Sequence, residues 1–125
     1  MMLRDRQVGE VTILDIDGRM TIQDGVDVFR AVVRQMIALS RVRLVLNLHG
    51  VPYIDSTALG EIVRTYSSVT RRGGGVMLLN VTPRVTALLT ITKLLPVFSL
   101  FDEEAKAVSS FDRGANPIGP VPGRG

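Results

Sequence analysis

Cysteine is absent from this 125-residue chain, and histidine occurs once, as His49. Without cysteine the chain can form no disulfide, no cysteine-ligated zinc site, no iron–sulfur cluster and no thiol nucleophile. A single histidine also excludes most histidine-based metal sites and leaves a proton-shuttling enzyme one candidate. We therefore expect neither a metal nor a cofactor.

Long apolar runs and a strong charge are also missing. No segment approaches the roughly 18 consecutive apolar residues of a membrane span, and residues 1–6 lack the apolar block of a secretory signal. The net charge is only +3, and four Phe and two Tyr are the aromatic residues available for base stacking. Because the basic residues are not gathered into one run, we expect no nucleic-acid partner. Because neither apolar segment is present, we expect a cytoplasmic protein with no membrane span.

The composition that remains is typical of one globular domain. Hydrophobic residues make up 46% of the chain and charged residues 22%, which is enough apolar material for a core at this length. The composition changes at Asp112, after which proline and glycine dominate. We predict one domain over residues 1–111 and a flexible Pro/Gly-rich tail over residues 112–125.

The hydrophobic pattern predicts strands that alternate with helices. Alternation over residues 3–8 and 11–17 predicts an edge hairpin, with Asp15 and Asp17 facing water on a half-buried second strand. Apolar runs at 43–48 and 76–79 predict central strands, and residues 97–101 a last short strand. Helical spacing begins after Thr21 or Asp24, after Asp55, after Thr82 and near Asp102. This order predicts an α/β fold, a small, mixed, mainly parallel sheet packed with about four helices, with most of the core on one face.

The segment from His49 to Gly60 is the most informative place for function. It leads from the end of a predicted central strand, through a loop that contains Pro52, into a helix that starts with Asp55, Ser56 and Thr57. Free N–H groups and the positive end of the helix dipole favour an anion there. A phosphate on Ser56 would add about −1.5 to −2 charges without harming the fold. On spacing alone, helix capping is the better explanation of these residues, because Asp, Ser and Thr at a helix start are more often caps than modified sites.

Enzyme chemistry finds little support in the motifs. His49, Asp55 and Ser56 supply the residue types of a hydrolase triad, but no Gly-x-Ser-x-Gly elbow surrounds the serine. The run at residues 73–75 is all glycine and lacks the Lys-Ser/Thr of a phosphate loop, so it predicts a helix stop. The acids at residues 102–104 are typical of a helix start. We expect a binding protein and not an enzyme.

Sequence motifs add a resemblance to a known family. The segment Asp55-Ser56-Thr57-Ala58-Leu59-Gly60, with the strand before it and the Gly73-Gly74-Gly75 segment after it, resembles the STAS domain and, more narrowly, the bacterial anti-sigma factor antagonists. The resemblance runs from about Val11 to Phe111. It implies that the serine after the aspartate, Ser56 here, is phosphorylated by a partner that is both an anti-sigma factor and a serine kinase. The unphosphorylated form would bind that kinase and release sigma factor, and a PP2C-type serine phosphatase would reset the switch.

The resemblance also suggests a partner-binding surface. We expect the loop and the exposed side of the following helix to supply it, through Tyr53, Asp55, Ser56, Thr57, Glu61 and Arg64. Whether Thr57 is a second phosphorylation site and whether the protein forms a homodimer stay open. The alternative is a stand-alone STAS interaction module in a signalling scaffold or lipid-transport complex, without sigma control.

Two segments depart from the family pattern. Gly18-Arg19-Met20-Thr21 stands where many antagonists read Gly-Glu-Leu-Asp, so Arg19 replaces an acid beside the expected partner. Ile91-Thr92-Lys93-Leu94 stands where the family often has Thr-Gly-Leu, a change that predicts an altered turn after the third helix. Ala58 also replaces the usual glycine of the motif, which suits a helical position.

Overall fold

The computed structural model describes residues 1–112, and the predicted tail beyond Asp112 lies outside them. Five strands form one sheet in the order β1-β2-β3-β4-β5, with β1 antiparallel to β2 and all other pairs parallel. The strands are β1 Met2–Val8, β2 Val11–Asp17, β3 Arg43–Gly50, β4 Gly75–Leu79 and β5 Ser99–Phe101. This confirms the predicted mixed, mainly parallel sheet.

Four helices connect and flank the strands, as predicted. They are α1 Val26–Ala38, α2 Ser56–Thr70, α3 Pro83–Ile91 and α4 Glu104–Ser109, and 3-10 turns span Leu95–Val97 and Ser110–Asp112. Within residues 1–112, no helix has both the length and the apolar character that crossing a bilayer requires. The last strand is shorter than predicted because the turn at Leu95–Val97 takes up its expected start.

The start of α1 differs from the prediction. Gly25 is the N-cap residue, with a φ of 100° and no side-chain cap, so neither Thr21 nor Asp24 caps the helix. The backbone groups of Thr21 and Asp24 instead bond to each other, with N···O distances of 2.7 and 3.0 Å. This tight turn leaves the left-handed entry into α1 to a glycine, which adopts it without steric cost.

Side chains on both faces of the sheet are buried, and most of the core lies on one face. Leu14, Leu46 and Leu78 are neighbours across β2, β3 and β4 and belong to the larger cluster, against α1, α2 and α3. One residue earlier on each strand, Ile13, Val45 and Met77 belong to the smaller cluster, with Ala107 and Phe111. Each fully buried side chain of this kind contributes about 1.5–3 kcal/mol of transfer free energy.

The prediction of a half-buried β2 was wrong. Residues 11–14 are all buried, because both faces of the strand are covered: Leu14 belongs to the larger cluster, and Val11 and Ile13 belong to the smaller one with Ala107 of α4. Asp15 is only half-buried and does not simply face water: its carboxylate accepts hydrogen bonds from Arg6 at 2.6 Å and from Asn47 at 2.8 Å. The hydrogen bond from Arg6 holds the pKa of Asp15 below its usual value. Asp17 is exposed, as expected.

The glycines at residues 73–75 end α2, as predicted. Gly73 has a φ of 83°, and the N–H of Gly74 donates to the carbonyl of Val69 at 2.8 Å, which closes the helix. A Cβ on Gly74 would lie only 2.0 Å from the carbonyl oxygen of Val42. The chain therefore needs glycine here to pass from α2 into β4.

Candidate functional site

The site lies at the carboxyl edge of the sheet, where β3 passes into α2. β3 extends to Gly50, so His49 lies in the strand and not in the loop to which the sequence assigned it. Val51 and Ile54 are buried and anchor the connecting loop. Tyr53, in the loop, is half-buried, and Ser56, the first residue of α2, is exposed.

A second loop is bonded to the first. The N–H of Met20 donates to the carbonyl of Tyr53 at 3.1 Å, and the N–H of Asp55 donates back to the carbonyl of Met20 at 3.3 Å. Met20 itself is fully buried. The loop between β2 and α1 is thereby fixed beside the start of α2.

Asp55 has a structural task. Its Oδ1 accepts from the N–H of Ala58 at 2.9 Å, as expected of an N-cap, and its Oδ2 accepts from the N–H of Ile22 at 2.9 Å. Desolvation raises the pKa of Asp55, but these backbone N–H groups outweigh it and hold the pKa below its usual value. Both carboxylate oxygens are therefore engaged, and the helix-cap explanation is right for this residue.

Ser56 differs from its neighbour. It is the first residue of α2 and is exposed, and its hydroxyl makes no hydrogen bond to any residue in the 1–112 range. The hydroxyl sits at the positive end of the helix dipole, beside N–H groups that have no partner within the helix. Thr57 follows it and is half-buried. Capping thus accounts for Asp55 but not for Ser56.

A pocket of about 220 Å³ opens beside the Ser56 hydroxyl, between the loop and α3. The guanidinium of Arg84 lies over the ring of Tyr53, with Cζ 4.7 Å from the ring centroid. Ile91, from the same helix, has 78% of its surface exposed. The lining residues are Tyr53, Ile54, Asp55, Ser56, Arg84, Ala87, Leu88 and Ile91.

A second concavity of about 230 Å³ lies on the other side of Tyr53 and Asp55. Arg19, Ile22 and Asp24 line it, and Ile22 is 65% exposed. Exposed large apolar side chains are common singly, but here two of them, Ile22 and Ile91, line concavities that share Tyr53 and Asp55. An aromatic ring between apolar and cationic groups is typical of a protein-binding surface.

The position of Glu61 differs from the partner-binding surface that the sequence predicted. We expected it on the exposed side of α2, but only 6% of its surface is exposed. Its Oε2 accepts from Arg30 at 2.8 Å and from Arg64 at 2.7 Å, and the hydrogen bond from Arg30 holds the pKa of Glu61 below its usual value. Glu61 therefore joins α1 to α2, whereas the Arg64 side chain is 75% exposed.

The geometry gives a hydrolase triad no support. Both oxygens of Asp55 are bonded to backbone N–H groups, and His49 is exposed in β3, where its own N–H donates to Asn47. Over residues 1–112, no cluster of three or more His, Asp or Glu side chains could hold a metal ion. What the site offers is a solvent-facing hydroxyl on a preformed surface.

Comparison with known proteins agrees with this architecture. Residues 3–107 match the STAS domain family. The chain belongs to the STAS family. Among curated proteins, the anti-sigma F factor antagonist of Paenibacillus polymyxa is 29% identical over 69 residues. Those residues are 55% of this STAS chain and 59% of the relative, so the match spans less than two thirds of either protein.

Solved structures share the STAS fold over nearly the whole chain. A candidate anti-sigma factor antagonist of Thermotoga maritima superposes with a TM-score of 0.83 at 25% identity, covering 89% of this chain and 95% of that one. The antagonist SpoIIAA of Bacillus, solved in unphosphorylated and phosphorylated forms, gives 0.68 in the unphosphorylated form, at 17% identity over 90% and 99%. A sulfate transporter family protein of Wolinella succinogenes gives 0.71 at 22% identity over 84% and 87%. The last two likenesses show the fold alone.

Sequence reasoning placed Tyr53, Asp55 and Ser56 in one site, and the structure brings them together around one pocket. It missed Ile22, Arg84 and Ile91, which lie far from them in the chain. Pro83 did mark the start of α3, but only the parallel order of β3 and β4 places that start beside the start of α2.

Proposed function

We propose that this STAS protein is an anti-sigma factor antagonist whose binding is switched off by phosphorylation of Ser56. Unphosphorylated, it binds an anti-sigma factor that is also a serine kinase, and the bound kinase releases its sigma factor. The observation that carries the proposal is the exposed, unbonded Ser56 hydroxyl beside an aspartate that is fully used by the fold. The likeness to the Paenibacillus polymyxa antagonist supports it.

Phosphorylation at this position would change binding without unfolding the domain. Transfer of the γ-phosphoryl group from ATP to the Ser56 oxygen, with release of the hydroxyl proton, gives ADP and a dianion at the start of α2. The helix dipole stabilises that dianion, so the fold persists. A partner packed on Tyr53 and the neighbouring isoleucines would have to desolvate the same charge, which costs several kcal/mol.

The surface of this switch is the loop and first turn of α2. Tyr53 supplies an aromatic contact, Asp55 holds the loop in shape, and Ser56 and Thr57 face the partner, with Arg64 at the margin. The phosphoserine formed at this exposed position is equally open to a PP2C-type serine phosphatase, which hydrolyses it with water to inorganic phosphate and restores the Ser56 hydroxyl. On this proposal the protein acts by binding, is not itself an enzyme, and works in the cytoplasm, where ATP and sigma factors meet.

The test is a phosphorylation assay with the native kinase. The full chain is used to capture partners from a lysate of its own source, and the captured ATPase is purified and incubated with ATP and the chain. We expect one phosphate, mapped to Ser56 by mass spectrometry, and no labelling of Ser56→Ala. Thr57→Ala is the matched control and should be labelled like the wild type.

Two outcomes would contradict the proposal. Equal labelling of Ser56→Ala and wild type would move the modification elsewhere. Recovery of a transporter ATPase or a sensor scaffold, with no serine kinase acting on the chain, would favour the stand-alone STAS module without sigma control.

A further inference from the structure

The positive charge of Arg84 takes no part in the ion pairs that stabilise residues 1–112. Arg84 is one of two charged residues that line the pocket beside Ser56, and the other is Asp55. Among residues 1–112, no carboxylate pairs with its guanidinium, which rests on the ring of Tyr53 at 4.7 Å. The residue itself is exposed near the start of α3. An unpaired guanidinium thus belongs to a residue that lines the same pocket as Ser56.

A phosphate would be a better partner for this guanidinium than the ring is. A cation–π contact at an exposed site is weak. Arginine and phosphate form charge-assisted, often bidentate hydrogen bonds, which are about twice as strong as neutral ones. A phosphoryl group within reach would therefore draw Arg84 away from Tyr53.

We propose that the guanidinium of Arg84 forms a seat for a phosphomonoester beside Ser56, and that the phosphoryl group on Ser56 occupies it. The inference rests on the proposed phosphorylation of Ser56. Seating uses no bond-forming step: the phosphoryl oxygens accept hydrogen bonds from the guanidinium, which leaves Tyr53. Phosphorylation then changes the surface twice, because it adds a dianion and uncovers an aromatic ring.

Arg84 matters because the other charged side chain that lines the pocket is a carboxylate. The carboxylate of Asp55 faces the same pocket and repels a second anion, although its oxygens are held by N–H groups. Arg19 lines the neighbouring concavity, beyond Tyr53 and Asp55, and Asp24 there pairs with the N-terminal ammonium group at 3.3 Å. Arg84 is therefore the cation that lines the same pocket as Ser56.

The seat can be tested without a kinase. Phosphoserine is encoded genetically at position 56 of the full chain, and the second pKa of the phosphate is measured by ³¹P NMR titration. A nearby cation favours the dianion, so the pKa should be lower in the otherwise unchanged chain than in the Arg84→Gln chain, by roughly half a pH unit. Arg84→Lys should keep most of that difference. Arg19→Gln removes an equal charge from the neighbouring concavity and should shift the pKa by less than half as much.

A second measurement follows the guanidinium itself. In the unphosphorylated chain, the Nε–H proton of Arg84 should resonate upfield because it lies over the Tyr53 ring, and Tyr53→Leu should abolish that shift. In the phosphoserine chain the same proton should move downfield as it bonds to phosphate. Arg84 is exposed, so its variants should fold, and the NMR spectra check this directly.

The proposal is overturned if the phosphate pKa is the same in the Arg84→Gln chain, or if Arg19→Gln changes it equally. It is overturned too if the Arg84 proton does not move on phosphorylation. Because the phosphate is installed during synthesis, a kinase that fails to label Ser56 would contradict the proposed function and leave this result intact.

Discussion

The carboxylate of Asp55 reaches across to the loop before α1, where its Oδ2 lies 2.9 Å from the backbone nitrogen of Ile22. The same carboxylate caps α2 through Ala58. This side chain therefore acts together with the two backbone hydrogen bonds of Met20 to fix the start of α2 against the loop before α1. The exposed serine is presented on a surface whose shape its neighbour determines.

Asp55→Ala should destabilise the domain by about 1–2 kcal/mol, because it removes an N-cap and leaves the N–H of Ile22 without its acceptor. Urea unfolding measures the change. Ser56→Ala is the matched control: its hydroxyl has no partner among residues 1–112, so its free energy of unfolding should stay within about 0.5 kcal/mol of wild type. Equal losses for the two variants would contradict the division of roles between these residues.

Glu61 should make stability depend on pH in the acid range. Its pKa is lower in the folded state because Arg30 and Arg64 bond to the carboxylate. Its contribution is therefore complete above the unfolded value of about 4.3 and is lost as the pH falls through the lower folded value. Glu61→Gln should destabilise by about 1–2 kcal/mol at pH 7, and the gap from wild type should close at low pH.

The control for Glu61 is Glu10→Gln. Glu10 pairs with Arg43, but its side chain is 84% exposed, so we expect almost no change in the free energy of unfolding at any pH. A gap between Glu61→Gln and wild type that stays constant down to pH 2 would argue against the charged form as the source of stability.

Lys93→Gly should stabilise the protein by about 0.5–1 kcal/mol. Lys93 has a φ of 62° just after α3, and its N–H and that of Leu94 bond back to the helix, which is the position where glycine is favoured. Thr92→Gly is the control, because Thr92 has a φ of −83° and should lose stability on the same change. Thermal unfolding compares them, and a loss in both variants would refute the strain assigned to Lys93.

On the proposed function, Ser56→Asp should bind the anti-sigma factor at least about tenfold more weakly than wild type, since a carboxylate there would have to be desolvated on docking. Ser56→Ala should bind as tightly as wild type and stay bound when ATP is added. Calorimetry with the purified kinase measures both. Thr57→Asp is the control for position: the same charge one residue further along α2 should weaken binding less than Ser56→Asp does.

Local signals allowed the sequence to predict much of the fold. The glycines at 73–75 end α2 and Pro83 begins α3, because the backbone preferences of these residues act within a few positions. The burial of β2 on both faces was missed, since the helix that covers it lies almost a hundred residues further along the chain. The segment nevertheless carries a signal, because Val11 and Ile13 lie on one face and Leu14 and Ile16 on the other, so that both faces are apolar.

The candidate site, like the fold, was predicted from the sequence only where local signals determine it. Asp55 and Ser56 follow from a capping pattern that lies in one stretch of sequence. Glu61 looked solvent-exposed because its partner Arg30 is 31 residues away, on another helix. Arg84 reaches Tyr53 only because β3 and β4 are parallel neighbours, which brings the starts of α2 and α3 together.

Since β2 and β3 run in parallel and Ser56 follows the end of β3, the hairpin turn at Gly9 and Glu10 lies at the opposite end of the sheet. Both turn residues are exposed, and a Cβ on Gly9 would have no heavy atom within 4 Å. A fluorophore or affinity handle attached at Glu10 would therefore lie far from Tyr53, Asp55 and Ser56 and would leave them unobstructed.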